Sequence, residues 1–163
     1  MLNWSPIRST VLGLTTLVAA SCASAGGGGN ADGGAIVQMD MGVVTAEAMS
    51  EQTQNLFRRE QFQVFREEPV PAPMIQSEWR NQTPTTDEQA MGVTEVQVRV
   101  VVRGRERPPM GGLRVYQVTY QMEAEVKTAA APEWMPAEIT PQRREMAREL
   151  GRELQTLLEF TRR

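Results

Sequence analysis

The stretch Thr94-Glu95-Val96-Gln97-Val98-Arg99-Val100-Val101-Val102-Arg103 alternates apolar and polar side chains, with Val101 as the one exception. Further along, Tyr116-Gln117-Val118-Thr119-Tyr120-Gln121-Met122-Glu123-Ala124-Glu125-Val126-Lys127 alternates without exception. A period of two sends successive side chains to opposite faces of a strand, so each run predicts a strand with one buried face. Between them lies Pro108-Pro109-Met110-Gly111-Gly112, a turn composition, and the two runs therefore predict an antiparallel hairpin. Both apolar sets carry even numbers. Pairing must join even to even, because a slip of one residue would bury Glu123, Glu125 and Arg99.

Working outward, Ile36 to Val43 places Val37, Met39, Met41 and Val43 on one side, which suits a short strand or a continuation of the flexible tether that precedes it. From Thr45 the period becomes helical, with Ala46, Met49, Thr53, Leu56 and Phe57 on one face and Thr45 as N-cap, to about Glu60. Gln61 to Arg66 and Met74 to Arg80 read as two short strands separated by Pro69, Pro71 and Pro73, with Ile75 and Trp79 on the same side. Ala129 to Pro136 is a crossing anchored by Trp134. Thr140-Pro141 then supplies an N-cap and a proline at the first helical position. The following helix carries an apolar stripe of Met146, Leu150, Leu154, Leu157 and Leu158, leaving Arg143, Arg144, Glu145, Arg148, Glu149, Arg152 and Glu153 to solvent. The expected fold class is α+β: a two-layer sandwich with a four-stranded antiparallel sheet and N-terminal and C-terminal helices on one face.

The chain has 163 residues, 40% of them apolar and 23% charged, which suits one globular domain, placed at residues 36–163. With no histidine and one cysteine, His-dependent triads, Cys/His zinc sites and CxxC redox pairs are excluded. A net charge of -3 argues against a nucleic-acid partner. Arg8, the uncharged run Val11 to Ala20 and the small residues that follow have the order of an export signal over residues 1–21. The apolar run is too short for a membrane span, which needs about 20 residues. Residues 22–35 hold Cys22 and then the glycines Gly26 to Gly29, Gly33 and Gly34, a composition that behaves as a flexible tether.

Val18-Ala19-Ala20-Ser21-Cys22 resembles the lipobox of bacterial lipoproteins, which implies lipidation of Cys22 and a membrane contact through that lipid anchor. Ala23-Ser24-Ala25 offers an alternative cleavage site that would release a soluble secreted protein. The body, with the strand Met74 to Trp79, the 94–127 hairpin and the final helix, resembles the helix-grip domains of small envelope lipoproteins, such as the C component of the outer-membrane β-barrel assembly machinery. The resemblance implies a lipid-anchored protein of the bacterial outer membrane facing the periplasm. It carries over no active residue.

Candidate chemistry is sparse. Met39, Met41, Met74, Met91, Met110 and Met135 are potential thioether ligands for copper(I), but they follow no repeat and thioethers serve well as core filler. The seventeen glutamates fall mostly on solvent positions. A serine nucleophile would be Ser50 or Ser77 with Lys127 as base, and neither serine lies in a GxSxG elbow. No catalytic residue, cofactor or metal site is expected. Recognition is expected at the loop Asn81 to Gly92 and at the tip Arg103 to Gly112. The function expected is a non-enzymatic envelope lipoprotein that binds another envelope protein or supports an assembly. The rival is a carrier with a ligand or lipid cavity between helix and sheet.

Overall fold

The computed structural model describes residues 36–161. In chain order the elements are β1 (Ile36–Val44), α1 (Ala46–Arg59), β2 (Val64–Glu68), β3 (Met74–Ser77), β4 (Arg80–Gln82), α2 (Thr86–Ala90), β5 (Val93–Met110), β6 (Leu113–Thr128), β7 (Ala131–Pro136) and α3 (Pro141–Phe160). The strands form one antiparallel sheet in the order β1-β6-β5-β3-β2, with β4 on β5 and β7 on β6.

The fold is α+β, but among the described residues the sheet has seven strands rather than four, and there are three helices rather than two, the first preceded by a strand. Each additional element has a weak period. In β1 the alternation breaks at a bulge between Asp40 and Gly42, where Gly42 takes φ +79° and its N–H donates to Asp40 Oδ1 at 2.7 Å. The extra residue turns Val44, not Val43, into the core. Strand β4 is three polar residues, β7 carries two prolines, and α2 is a five-residue polar helix with no apolar stripe.

The central hairpin pairs even with even, as Val96↔Val126, Val98↔Ala124, Val100↔Met122 and Val102↔Tyr120. The even face is the core. Helix α1 lays Met49, Leu56 and Phe57 on it, and Thr45 caps that helix by accepting a hydrogen bond from the Ala48 N–H. Helix α3 adds Ala147, Leu154 and Leu158, with Thr140 as N-cap and Pro141 behind it.

The apolar stripe of α3 is rotated from its expected position. Met146 is 44% exposed, while Arg143, Ala147, Gly151, Leu154 and Leu158 form the buried line. Close approach explains this: a Cβ at Gly151 would lie 2.4 Å from Met39 Sδ and 3.4 Å from Tyr120 Cδ1. The helix sits on the sheet through small residues, and the larger Leu150 and Leu157 pack beside that contact line, partly buried.

Ile75 and Trp79 also part company. Gln76 pairs with Val101 but Arg80 pairs with Val98, so the chain holds one extra residue between β3 and β4. Ser77 stabilises this irregularity, its Oγ accepting from Val100 N at 2.9 Å and donating to the Glu78 carbonyl at 2.8 Å. Beyond the irregularity the faces exchange. Ile75 is buried in the core, whereas Trp79 lies beneath Arg99 on the opposite side of the sheet.

Candidate functional site

Both long helices occupy the even face, which leaves the odd-numbered side chains of β5 and β6 and their neighbours in β1 as a broad polar surface. Its organisation follows from the register. Gln38 stands opposite Gln121, and the Gln121 amide donates to Gln38 Oε1 at 3.0 Å. Four residues back along β6, Gln117 donates diagonally to the Asp40 carboxylate that also caps the β1 bulge. Arg99 faces Glu123 and bonds it at 2.6 Å, and Gln97 donates to Glu125 at 2.6 Å. Lys127 pairs with Glu95 at 3.1 Å.

Two aromatic rings support the cations of this surface. The Arg99 guanidinium lies 4.5 Å from the Trp79 ring centroid, and Lys127 Nζ lies 4.4 Å from that of Trp134. Each stack fixes a cation by ring-quadrupole attraction while its hydrogen-bonding edge reaches the paired carboxylate, Glu123 for Arg99 and Glu95 for Lys127. Val101, the break in the β5 alternation, is 1% exposed between Gln76 and Gln121 in its row. Arg99, Gln117, Thr119, Gln121 and Glu123 are half-buried by their neighbours, and Arg103 is exposed.

The surface mixes signs: Arg99, Arg103, Arg105 and Lys127 against Asp40, Glu95, Glu123 and Glu125. Partly exposed pairs of this kind contribute about 0–1 kcal/mol each, so the ladder is a small part of what holds the domain together. Its chemical capacity is recognition. Ordered amides, carboxylates and ring-supported cations can bind a complementary polar surface with little loss of side-chain freedom.

The other candidates are dispersed. Ser50 on α1 donates to Glu67 Oε1 at 2.6 Å, Ser77 is committed to the β3–β4 irregularity, and Lys127 lies at the far end of β6. Of the methionines, Met41 is buried, Met39 packs against Gly151, and Met91, Met110 and Met135 are exposed on separate elements. Among the described residues no three His, Cys, Asp or Glu side chains gather as a metal ion would need. Burial pushes the Tyr120 hydroxyl well above its ordinary pKa, so it remains a neutral phenol in the core. Cys22, the export signal and the tether lie outside the described residues.

The expected loop Asn81 to Gly92 is instead a built segment. Thr85 and Glu88 form a capping box on α2, the Thr85 N–H donating to Glu88 Oε2 at 2.7 Å and the Glu88 N–H to Thr85 Oγ1 at 3.3 Å. Glu88 then receives Arg143 of α3, with Nε to Oε1 at 2.9 Å and Nη2 to Oε2 at 2.7 Å. The same guanidinium donates to the Gln82 side chain and, at 3.1 Å, to the Thr83 carbonyl. Arg143 and Glu88 are 1% and 3% exposed. This bidentate pair locks the start of α3 to the segment between β4 and β5 and is structural rather than available to a partner.

Two depressions stand out, and both are open clefts. One of about 270 Å³ runs along the edge of α3 between Phe62, Met122, Met146 and Leu150, with Arg80 and the carboxylates Glu149 and Glu153 around it. The other, of about 370 Å³, lies by Arg66, Pro73, Met74 and Arg103. The space between α3 and the centre of the sheet is occupied by Leu154, Leu158, Ala147, Tyr120 and Met39. No protein-family model matches the chain, and a search of curated proteins returns no match.

Proposed function

We propose that this protein is a non-enzymatic lipoprotein of the bacterial cell envelope, anchored through acylated Cys22, whose domain binds another envelope protein through the polar face of β1, β6 and β5. The observation that carries the reading is that face itself: three paired strands of ordered polar side chains, with both long helices on the other side of the sheet. A second support is the position of Cys22, which follows a short uncharged run and precedes a glycine-rich stretch of the length a tethered domain uses. The packing of Leu154, Leu158 and Tyr120 between sheet and helix favours this reading over a carrier with an interior cavity.

Acylation is tested directly. Radiolabelled fatty acid should enter the wild-type protein and be lost in Cys22→Ser, because a hydroxyl cannot replace the thiol in the thioether linkage. Equal labelling of both proteins would refute the anchor. Partner binding is tested separately, by placing a photocrosslinking amino acid at Gln117 or Gln121 in intact envelopes. A discrete adduct is expected from these positions and not from Arg152 on the outer side of α3. Identical adduct patterns from all three positions would remove the polar face as the binding surface.

A further inference from the structure

The β5–β6 hairpin extends beyond the sheet that supports it. On β5 the last residue paired with β3 is Arg103, and on β6 the first residue paired with β1 is Tyr116. Residues 105–115 therefore form a two-stranded ribbon, turned by Gly111 and Gly112 at φ +58° and +80°. Every residue from Arg105 to Arg114 is exposed, and Met110 and Leu113, opposite each other at the tip, are each 61% exposed.

The charge is as uneven as the shape. Residues 103–114 contain Arg103, Arg105, Arg107 and Arg114 against Glu106 alone, a net of +3 in a chain whose total is -3, so the remainder carries -6. Glu106 is engaged by Arg114 at 3.2 Å. The ribbon thus has an apolar end of Pro108, Pro109, Met110 and Leu113 and cationic shoulders behind it. That order matches the depth profile of an anionic bilayer, where apolar side chains enter the acyl boundary and guanidinium groups stay among the headgroups.

We infer that the β5–β6 arm is a membrane-contact element that seats Met110 and Leu113 in an anionic lipid surface. The geometry is compatible with the anchor proposed above, on which the inference does not depend. Ile36 pairs with Glu123, ten residues from Leu113 along β6, a distance of about 33 Å. Fourteen residue steps from Cys22 to Ile36 reach at most about 50 Å, so arm and anchor can meet one bilayer.

The test uses the full chain with Cys22→Ser and Met110→Cys, labelled at the new thiol with an environment-sensitive nitrobenzoxadiazole dye. Vesicles of phosphatidylcholine mixed with phosphatidylglycerol should shift the dye emission to the blue, and phosphatidylcholine alone should do so far less. Arg105→Gln with Arg107→Gln and Arg114→Gln should weaken the partitioning at least about tenfold, and added salt should weaken it in the parent. Leu113→Asp should suppress the shift while leaving the far-ultraviolet circular dichroism unchanged, since its side chain is outside the core. An unshifted dye, an equal shift when the dye is moved to exposed Glu51 on α1, or a shift produced by duplex DNA in place of vesicles would each overturn the inference. Crosslinking from Gln117 and Gln121 is read at other positions, so the two proposals fail independently.

Discussion

Alanine in place of Arg143 is expected to lower the stability of the domain by about 3–5 kcal/mol, the usual cost of stripping one partner from a buried ion pair. The guanidinium is 1% exposed, bonds both oxygens of Glu88 and also holds Gln82 and the Thr83 carbonyl. Its removal leaves the buried Glu88 carboxylate of α2 with Thr85 alone to satisfy it. Glu88→Ala should cost a similar amount, because it strands the guanidinium and also removes half of the capping box. Arg143→Met combined with Glu88→Leu should recover most of the loss, since a well-packed apolar pair of similar volume commonly equals a buried ion pair. Urea midpoints of the three variants provide the measurement. An Arg143→Ala midpoint close to that of wild type would mean that the side chain is solvated, as the charge pattern of the helix suggests.

The same pair sets an acid sensitivity. Burial alone would raise the Glu88 pKa, but the hydrogen bonds from Arg143 and from the Thr85 backbone, with the positive charge of Arg143, outweigh it and hold the carboxyl below its ordinary value. A folded pKa below the unfolded one means that the unfolded chain takes up its proton first as pH falls. The stabilisation is complete above the ordinary glutamate value of about 4.3 and is lost as pH drops from there through the folded pKa. Wild type should therefore lose more stability than the Met/Leu double variant between neutral pH and that acid window. Parallel losses would assign the acid sensitivity to other carboxylates.

The existence of the hairpin and of the two long helices was legible because their patterns are long and strong. Even-numbered positions 96–102 and 116–126 are all apolar, with Val101 the one break among the odd positions, and Thr45 and Thr140 announce their helices by hydroxyl caps. Elements governed by a single-residue irregularity were not. One inserted residue before Arg80 sends Trp79 to the polar face, and one at Gly42 sends Val44 to the core, and neither insertion leaves a trace in composition. Arg143 was hidden differently. Charge marks a helical position as solvent-facing unless a buried partner awaits it, and that partner lies 55 residues away. A local signal did exist: Thr85 followed three residues later by Glu88 is a capping-box spacing, and it marked 81–92 as structured rather than as a recognition loop. The polar face was legible in outline, since the odd positions of the alternating runs in β5 and β6 are polar except at Val101, but the two aromatic supports were not, because Trp79 reaches it from the irregularity between β3 and β4 and Trp134 from β7, whose parity the sequence conceals.

Leu154→Ala is expected to cost about 2–5 kcal/mol, and its neighbours give that figure meaning. Leu154 is fully buried in the core that α3 shares with the sheet, and the close seating of Gly151 on Met39 and Tyr120 limits how far the helix can settle into a vacated space. The cavity should persist, which places the loss in the upper part of the range. Met146→Ala separates two orientations of the same helix. With the apolar stripe centred on Met146, Leu150 and Leu154, both alanine variants would lose comparable stability. With the buried line running through Arg143, Ala147, Gly151, Leu154 and Leu158, Met146 is a half-exposed side chain at the rim of an open cleft, and its truncation should cost less than about 1 kcal/mol. Arg152→Ala, on the exposed side, should stay within about 0.5 kcal/mol. Urea unfolding of all three at one pH orders them, and a Met146→Ala loss equal to that of Leu154→Ala would require α3 to be rotated back by most of a residue step, which would also withdraw Arg143 from Glu88.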